Sequence, residues 1–207
     1  MFKGQRERTS YALGMNTGNQ LKKEAAEVDA DLFIQGLKDA LAGGKTLLTE
    51  GEVKATLSAR QSELRAKEMQ ALKQLAERNK REGEAFLAEN KSHEGVVSLP
   101  SGLQYRILKA GDGKKPTEND TVVCQYRLTL IDGRELDSAE SRNQPATFSV
   151  KAAIKGWAEA LPLMPVGSRW QLFVPPSLAY GERATAGIGP NATLIFEMEL
   201  MLMRDKS

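Results

Sequence analysis

The period of the hydrophobic positions changes once along this chain, near residue 100. Up to about Lys91, apolar residues recur three and four apart, the spacing of one helix face. A first segment carries Tyr11, Leu13, Met15 and Leu21, with Ser10 placed to cap it. A second has Asp29 as its cap, gathers Leu32, Phe33, Leu37, Ala40 and Leu41 on one face, and closes at Gly43-Gly44. The third opens on Thr49-Glu50-Gly51-Glu52, a capping box with its acid three residues after the threonine. No proline occurs between Glu52 and Lys91, so the pattern predicts one helix of roughly 40 residues, roughly 60 Å long. Its large apolar residues are few (Val53, Leu57, Leu64, Met69, Leu72, Leu75, Phe86 and Leu87), and the stripe nearly vanishes from Gln74 to Gly83. A helix this polar is expected to be a solvated stalk, with Gly83 as a point of bending.

Residues 92–101 break the helical pattern, and beyond them the period is two. Val122, Cys124, Tyr126, Leu128 and Leu130 share one strand face, and Asp132-Gly133 signals a hairpin turn. Further strands are predicted over 103–108, 147–150, 169–174 and 194–203, the last with Leu194, Phe196, Met198, Leu200 and Leu202 inward. A short amphipathic stretch, 154–161, lies between the 147–150 and 169–174 strands. The fold class is therefore α+β: N-terminal helices and a long stalk helix, then an antiparallel sheet wrapped around one short helix. The boundaries read as 1–48, a helical dimerisation domain; 49–91, the stalk; 92–101, a linker; and 102–207, the sheet domain. Dimerisation is expected because the two short helices total about 40 residues, near the lower limit for a self-sufficient core. Two copies would bury Tyr11, Leu13, Met15, Leu32, Phe33 and Leu37 against each other; docking of these faces on the chain's own second half is the alternative.

Composition agrees with this division. Of 207 residues, 41% are hydrophobic and 6% aromatic, enough for one compact core but not for a wholly globular chain. The 29 basic and 27 acidic residues leave a formal charge of +2, divided almost evenly between the halves. Without a basic pole there is no expected nucleic-acid partner, and no apolar run is long enough for a transmembrane segment. One cysteine and one histidine exclude a disulfide framework and a structural zinc site. Tempting motifs fail: Gly43-Gly44-Lys45-Thr46 has Asp39 where a phosphate loop needs glycine. His93 stands alone in the linker, and Cys124 lies on an apolar strand face as an inert thiol. No metal or cofactor signature remains.

A different constellation does remain. It comprises Gln125-Tyr126, then Asp132-Gly133 with Leu136-Asp137-Ser138 after it, and Ala153-Ile154-Lys155-Gly156-Trp157. It continues with Leu163-Met164-Pro165-Val166-Gly167-Ser168, Leu178-Ala179-Tyr180-Gly181 and Ala192-Thr193-Leu194-Ile195-Phe196-Glu197. Six segments in this order and spacing resemble the FKBP-type peptidyl-prolyl isomerases, from about Gly102 to Met203. The helical first half and the run from Gly95 to Tyr105 are similar to the Mip-like (macrophage infectivity potentiator-like) subgroup, which the chain resembles from end to end.

The resemblance implies the activity, a peptidyl-prolyl cis-trans isomerase that assists folding of proline-containing polypeptide clients. It also implies a pocket. Trp157 would form the floor; Tyr126, Leu136, Phe148, Ala153, Ile154, Tyr180, Ile188 and Phe196 the walls. The Ile154 N–H and the Tyr180 hydroxyl would hold substrate carbonyls, with Asp137 facing the rotating carbonyl and oriented by Tyr126 and Arg142. Rapamycin and tacrolimus would be pocket ligands. Leu136 departs from the phenylalanine of many relatives, Arg127-Leu128 from their Thr-Gly, and the loop after Tyr180 lacks a histidine often present there. These changes bear on rate and on preference for the residue before proline. A holdase or peptide-binding module with little catalysis is the competing expectation. The first residues, Met1 to Arg8, carry no apolar stretch or cleavage site of a signal peptide. A processed periplasmic or envelope protein is expected from the resemblance, with a cytoplasmic one as the alternative.

Overall fold

The computed structural model describes residues 2–23, 28–139, 141–142, 144–185 and 187–204. Positions 1 and 205–207, the outer limits of the expected domains, lie outside the described residues. The chain divides into two compact units, Met1–Glu63 and Leu64–Ser207.

The first unit contains α1 (Gln5–Lys23), α2 (Ala30–Ala42) and the opening turns of α3 (Glu50–Asn90). Ser10 is not a cap. It sits inside α1, and its hydroxyl donates to the Arg6 carbonyl at 2.9 Å. A serine can satisfy its hydroxyl on the carbonyl four residues back, so a helix can run straight through its apparent cap. The other boundaries obey their side chains. Asp29 Oδ1 accepts from the N–H groups of Asp31 and Leu32, both at 3.0 Å, and Gly43 ends α2 at φ +65°. In the capping box, the Thr49 N–H donates to Glu52 Oε2 at 2.8 Å and the Glu52 N–H returns to Thr49 Oγ1 at 3.3 Å. No described residue of α1 or α2 is buried.

The second unit holds the rest of α3 and a seven-stranded sheet: β1 (Val96–Ser98), β2 (Gln104–Lys109), β3 (Thr121–Leu130), β4 (Glu135–Ser138), β5 (Ala146–Ser149), β6 (Arg169–Val174) and β7 (Leu194–Arg204). Every pairing is antiparallel. The order is β1-β2-β6-β7-β3-β4, and β5 also pairs with β3. The Asp-Gly turn forms as its sequence demands: Gly133 takes φ +84° and the Leu130 N–H donates to the Arg134 carbonyl. The strands β1 and β4 are too short to show a period in the sequence. The short helix is α4 (Lys155–Ala160), which buries Trp157 and Ala160.

One further expectation is corrected. Leu202 does not join the inward set; it is exposed, while Leu194, Phe196, Met198 and Leu200 are buried. Val123 pairs with Leu202 and Cys124 with Leu200, so Met201 is an extra residue on β7. Such a bulge reverses the faces beyond it. At Gly83, expected as a point of bending, α3 runs on without interruption, and the residue is buried. A Cβ there would collide with Thr193 Oγ1 and lie 3.2 Å from Thr193 Cβ. Glycine is needed for the close approach of helix and chain. Further along α3, Phe86 meets Phe173 with ring centroids 5.9 Å apart. The amide of buried Asn90 donates to Gln104 Oε1 at 2.8 Å, and Gln104 Nε2 donates to the Leu87 carbonyl at 2.8 Å.

Candidate active site

Period-two alternation brings Tyr126 and Leu128 of β3 to the same side of the sheet as Phe196 of β7. Across them stands α4, whose Trp157 projects into the space between. The result is a cleft of about 380 Å³ lined by Tyr126, Leu128, Asp137, Ala146, Thr147, Phe148, Ala152, Ala153, Ile154, Trp157, Tyr180 and Phe196.

Trp157 is the centre of this cleft. Its ring lies edge-on to Tyr126 (5.1 Å, 68°) and Phe196 (5.0 Å, 75°) and tilted against Phe148 (5.1 Å, 35°). These are favoured aromatic geometries, and they lock the indole with only 9% of the residue exposed. Among the described residues its Nε1–H has no partner. Ile154 caps α4 in extended conformation (φ −59°, ψ 151°), and its carbonyl accepts from the Trp157 and Ala158 N–H groups.

One polar network touches the cleft. The Tyr126 hydroxyl donates to Asp137 Oδ2 at 2.5 Å. Arg142 Nη1 donates to Asp137 Oδ1, and its Nη2 to the Tyr126 hydroxyl at 2.8 Å. The guanidinium carbon also lies 5.7 Å from the Tyr126 ring centroid. Partial burial opposes ionisation of Asp137. Hydrogen bonds from Tyr126 and Arg142, the Arg142 charge and the Ser138 backbone outweigh it, and the carboxyl is held below its ordinary range. Tyr126 moves the other way. Burial and then its bond to Asp137 raise the phenol, with Arg142 acting against both.

Eight of the residues singled out in the sequence line the cleft: Asp137, Tyr180, Tyr126, Trp157, Phe148, Ala153, Ile154 and Phe196. Arg142 joins through its bonds to Asp137 and Tyr126, with its own side chain about half exposed. Leu136 and Ile188 are packed in the hydrophobic core and do not line the cleft. Gly187, the residue before Ile188, comes close to Leu136: a Cβ there would lie 3.8 Å from Leu136 Cδ2. Sequence reasoning missed Leu128, Ala146, Thr147 and Ala152. Leu128 was within reach, since it shares the Tyr126 face two residues on. The other three are small or polar and carried no signal.

The comparisons with known proteins fit this geometry. Residues 6–107 match the domain amino-terminal to FKBP-type peptidyl-prolyl isomerase, and residues 112–201 match the FKBP-type peptidyl-prolyl cis-trans isomerase domain. The chain is 46% identical to the outer membrane protein MIP of Legionella longbeachae, over 96% of this chain and 86% of that one. It is 42% identical to the peptidyl-prolyl cis-trans isomerase Mip of Coxiella burnetii, over 99% and 90% of the two chains. The crystal structure of FkpA from Escherichia coli superposes with a TM-score of 0.80 at 33% identity, covering 99% of both chains. With both domains matched in order and relatives similar along nearly their whole length, the chain belongs to the FKBP-type peptidyl-prolyl cis-trans isomerases, in the Mip-like subgroup.

Proposed function

We propose that the cleft floored by Trp157 is where this isomerase turns the X–Pro bond. The observation that carries this reading is the closed aromatic set around Trp157, with one ionised carboxylate at its edge. Rotation about X–Pro faces a barrier of about 18–20 kcal/mol because the planar amide is resonance-stabilised. The rotating amide is less dipolar, so a dry apolar pocket favours it over the planar ground state. The proline ring sits on Trp157 between Tyr126, Phe148 and Phe196. The Ile154 N–H and the Tyr180 hydroxyl hold the flanking carbonyls. Asp137 faces the rotating carbonyl, and Tyr126 and Arg142 fix its orientation. No bond is made or broken, so neither a nucleophile nor a metal is called for.

The test is isomerisation of a proline peptide with and without rapamycin or tacrolimus. Acceleration abolished by either macrolide supports the reading. An unchanged relaxation rate favours a holdase that binds chains without turning them.

The first unit is read as the contact between two copies. It exposes Tyr11, Leu13, Met15, Leu32 and Leu37. A groove of about 1010 Å³ runs past Leu32, Leu47, Leu48, Val53 and Leu57. A unit this small, with so little buried apolar surface, does not make a core alone, and a second copy presents the same faces. In this reading residues 1–48 dimerise, and clients are gripped at two sites, which raises effective concentration. An envelope location is proposed from the relative named as an outer membrane protein.

A further inference from the structure

Leu75, Asn79, Gly83 and Phe86 recur three or four residues apart and share one face of α3. Part of that face bears on the loop between Tyr180 and β7. A Cβ at Gly189 would come 2.9 Å from Asn79 Nδ2 and 3.1 Å from Leu75 Cδ2, so the glycine lets the helix approach the loop backbone. There the Asn79 amide donates to the Pro190 carbonyl at 2.8 Å. The next residue, Asn191, takes φ +56°, and its N–H donates to the Gly181 carbonyl at 2.8 Å. Gly181 directly follows Tyr180, and its own N–H donates to the Pro176 carbonyl at 2.8 Å.

A continuous line of bonds thus runs from a side chain of α3, through Pro190 and Asn191, to the residue after Tyr180. The Tyr180 hydroxyl has no hydrogen-bond partner among the described residues, and the residue is 39% exposed. Its place is set by backbone: within its own turn, Ala179 and Gly181 donate to the Pro176 carbonyl and Arg183 to the Tyr180 carbonyl, and from outside the turn it is held by the line from α3.

We infer that Asn79 is a positioning residue for the isomerase site: by holding Pro190 it sets where Tyr180 stands, with the Gly83–Thr193 contact keeping the helix at the required distance. The last turns of α3 are then part of the substrate-binding machinery and not only a connection. This rests on the reading of Tyr180 as a wall and hydrogen-bond donor of the cleft, and the experiment separates the two.

The full chain is assayed on a proline tetrapeptide as Tyr180→Phe, Asn79→Asp, Gly83→Ala and the double variant Gly83→Ala with Thr193→Ala. Asn79→Asp keeps the shape but turns an acceptor toward the Pro190 carbonyl. Loss of one hydrogen bond corresponds to roughly three- to tenfold. KM should rise by about that factor in Tyr180→Phe, Asn79→Asp and Gly83→Ala, with kcat within about twofold. Removing the Thr193 hydroxyl relieves the collision with Oγ1 and leaves only the 3.2 Å approach to the residue 193 Cβ, so the double variant should recover part of the loss. If Tyr180→Phe raises KM while Asn79→Asp and Gly83→Ala do not, the positioning role is overturned and the cleft stands. If Tyr180→Phe leaves KM unchanged, the reading of the cleft fails and takes this inference with it. A fall in activity that only tracks the folded fraction, monitored by tryptophan fluorescence, also overturns it.

Discussion

Tyr126 and Asp137 share one proton donor and one carboxylate at 2.5 Å, and their titrations are displaced outward, the phenol up and the carboxyl down. Both groups therefore keep a single protonation state across the range where proteins work. Asp137 is ionised above its depressed folded pKa. Its contribution to stability is fully present above about pH 4, the unfolded value, and is lost as pH falls through the folded one. Tyr126 contributes fully below about pH 10, its unfolded value, and loses that contribution as pH rises through the raised folded one.

The pH dependence of kcat/KM on a proline peptide should accordingly be flat from about pH 5 to 8. Asp137→Ala should lower kcat/KM by roughly ten- to a hundredfold, since it removes a charged hydrogen-bond acceptor, and should leave the profile flat. A bell-shaped wild-type profile centred near neutrality would contradict this assignment.

Asn90 and Gln104 form a buried amide pair that ties the end of α3 to β2. Asn90→Ala leaves the Gln104 oxygen without its donor and should destabilise the second unit by about 1–3 kcal/mol. Both tryptophans lie in that unit, so urea unfolding monitored by their fluorescence reads the change. Replacing both amides by leucine should cost less than Asn90→Ala alone.

Cys124 is fully buried, and desolvation pushes its thiol up to about 12. At about pH 8 the native protein should not react with a disulfide reagent over minutes, because the thiolate is the reactive form. In denaturant, one equivalent should react per chain. Rapid native labelling would show that β3 opens.

Phe33 lies on the apolar face of α2. Phe33→Asp would bury a charge between two copies, at a cost of several kcal/mol. Light scattering at micromolar concentration should give twice the 22.7 kDa chain mass for the wild type and the single mass for the variant. A monomeric wild type would refute the dimer.

Much of the architecture was legible one residue at a time. Asp29, Gly43, Thr49-Glu52 and Asp132-Gly133 act through atoms one to three residues away, so local sequence carries their geometry. The alternation in β3 and β7 likewise placed Tyr126 and Phe196 inward, because a half-buried strand must repeat every second residue. Ser10 misled because the same hydroxyl can cap a helix or bond back within one. Leu202 misled because a bulge belongs to a strand pair, and no single strand shows it.

The sequence by itself determined the element types, the α+β order, the family and most of the residues that meet in the cleft. These depend on periodicity and on side chains specialised for one job. Only the tertiary structure decided what Gly83 and Asn79 are for. In the chain they are a poor helix former and a polar residue on an exposed-looking stripe; their purpose depends on Thr193 and Pro190, which lie far along the chain from both. A close approach between distant backbones leaves no local pattern, only a missing side chain on one side of the contact.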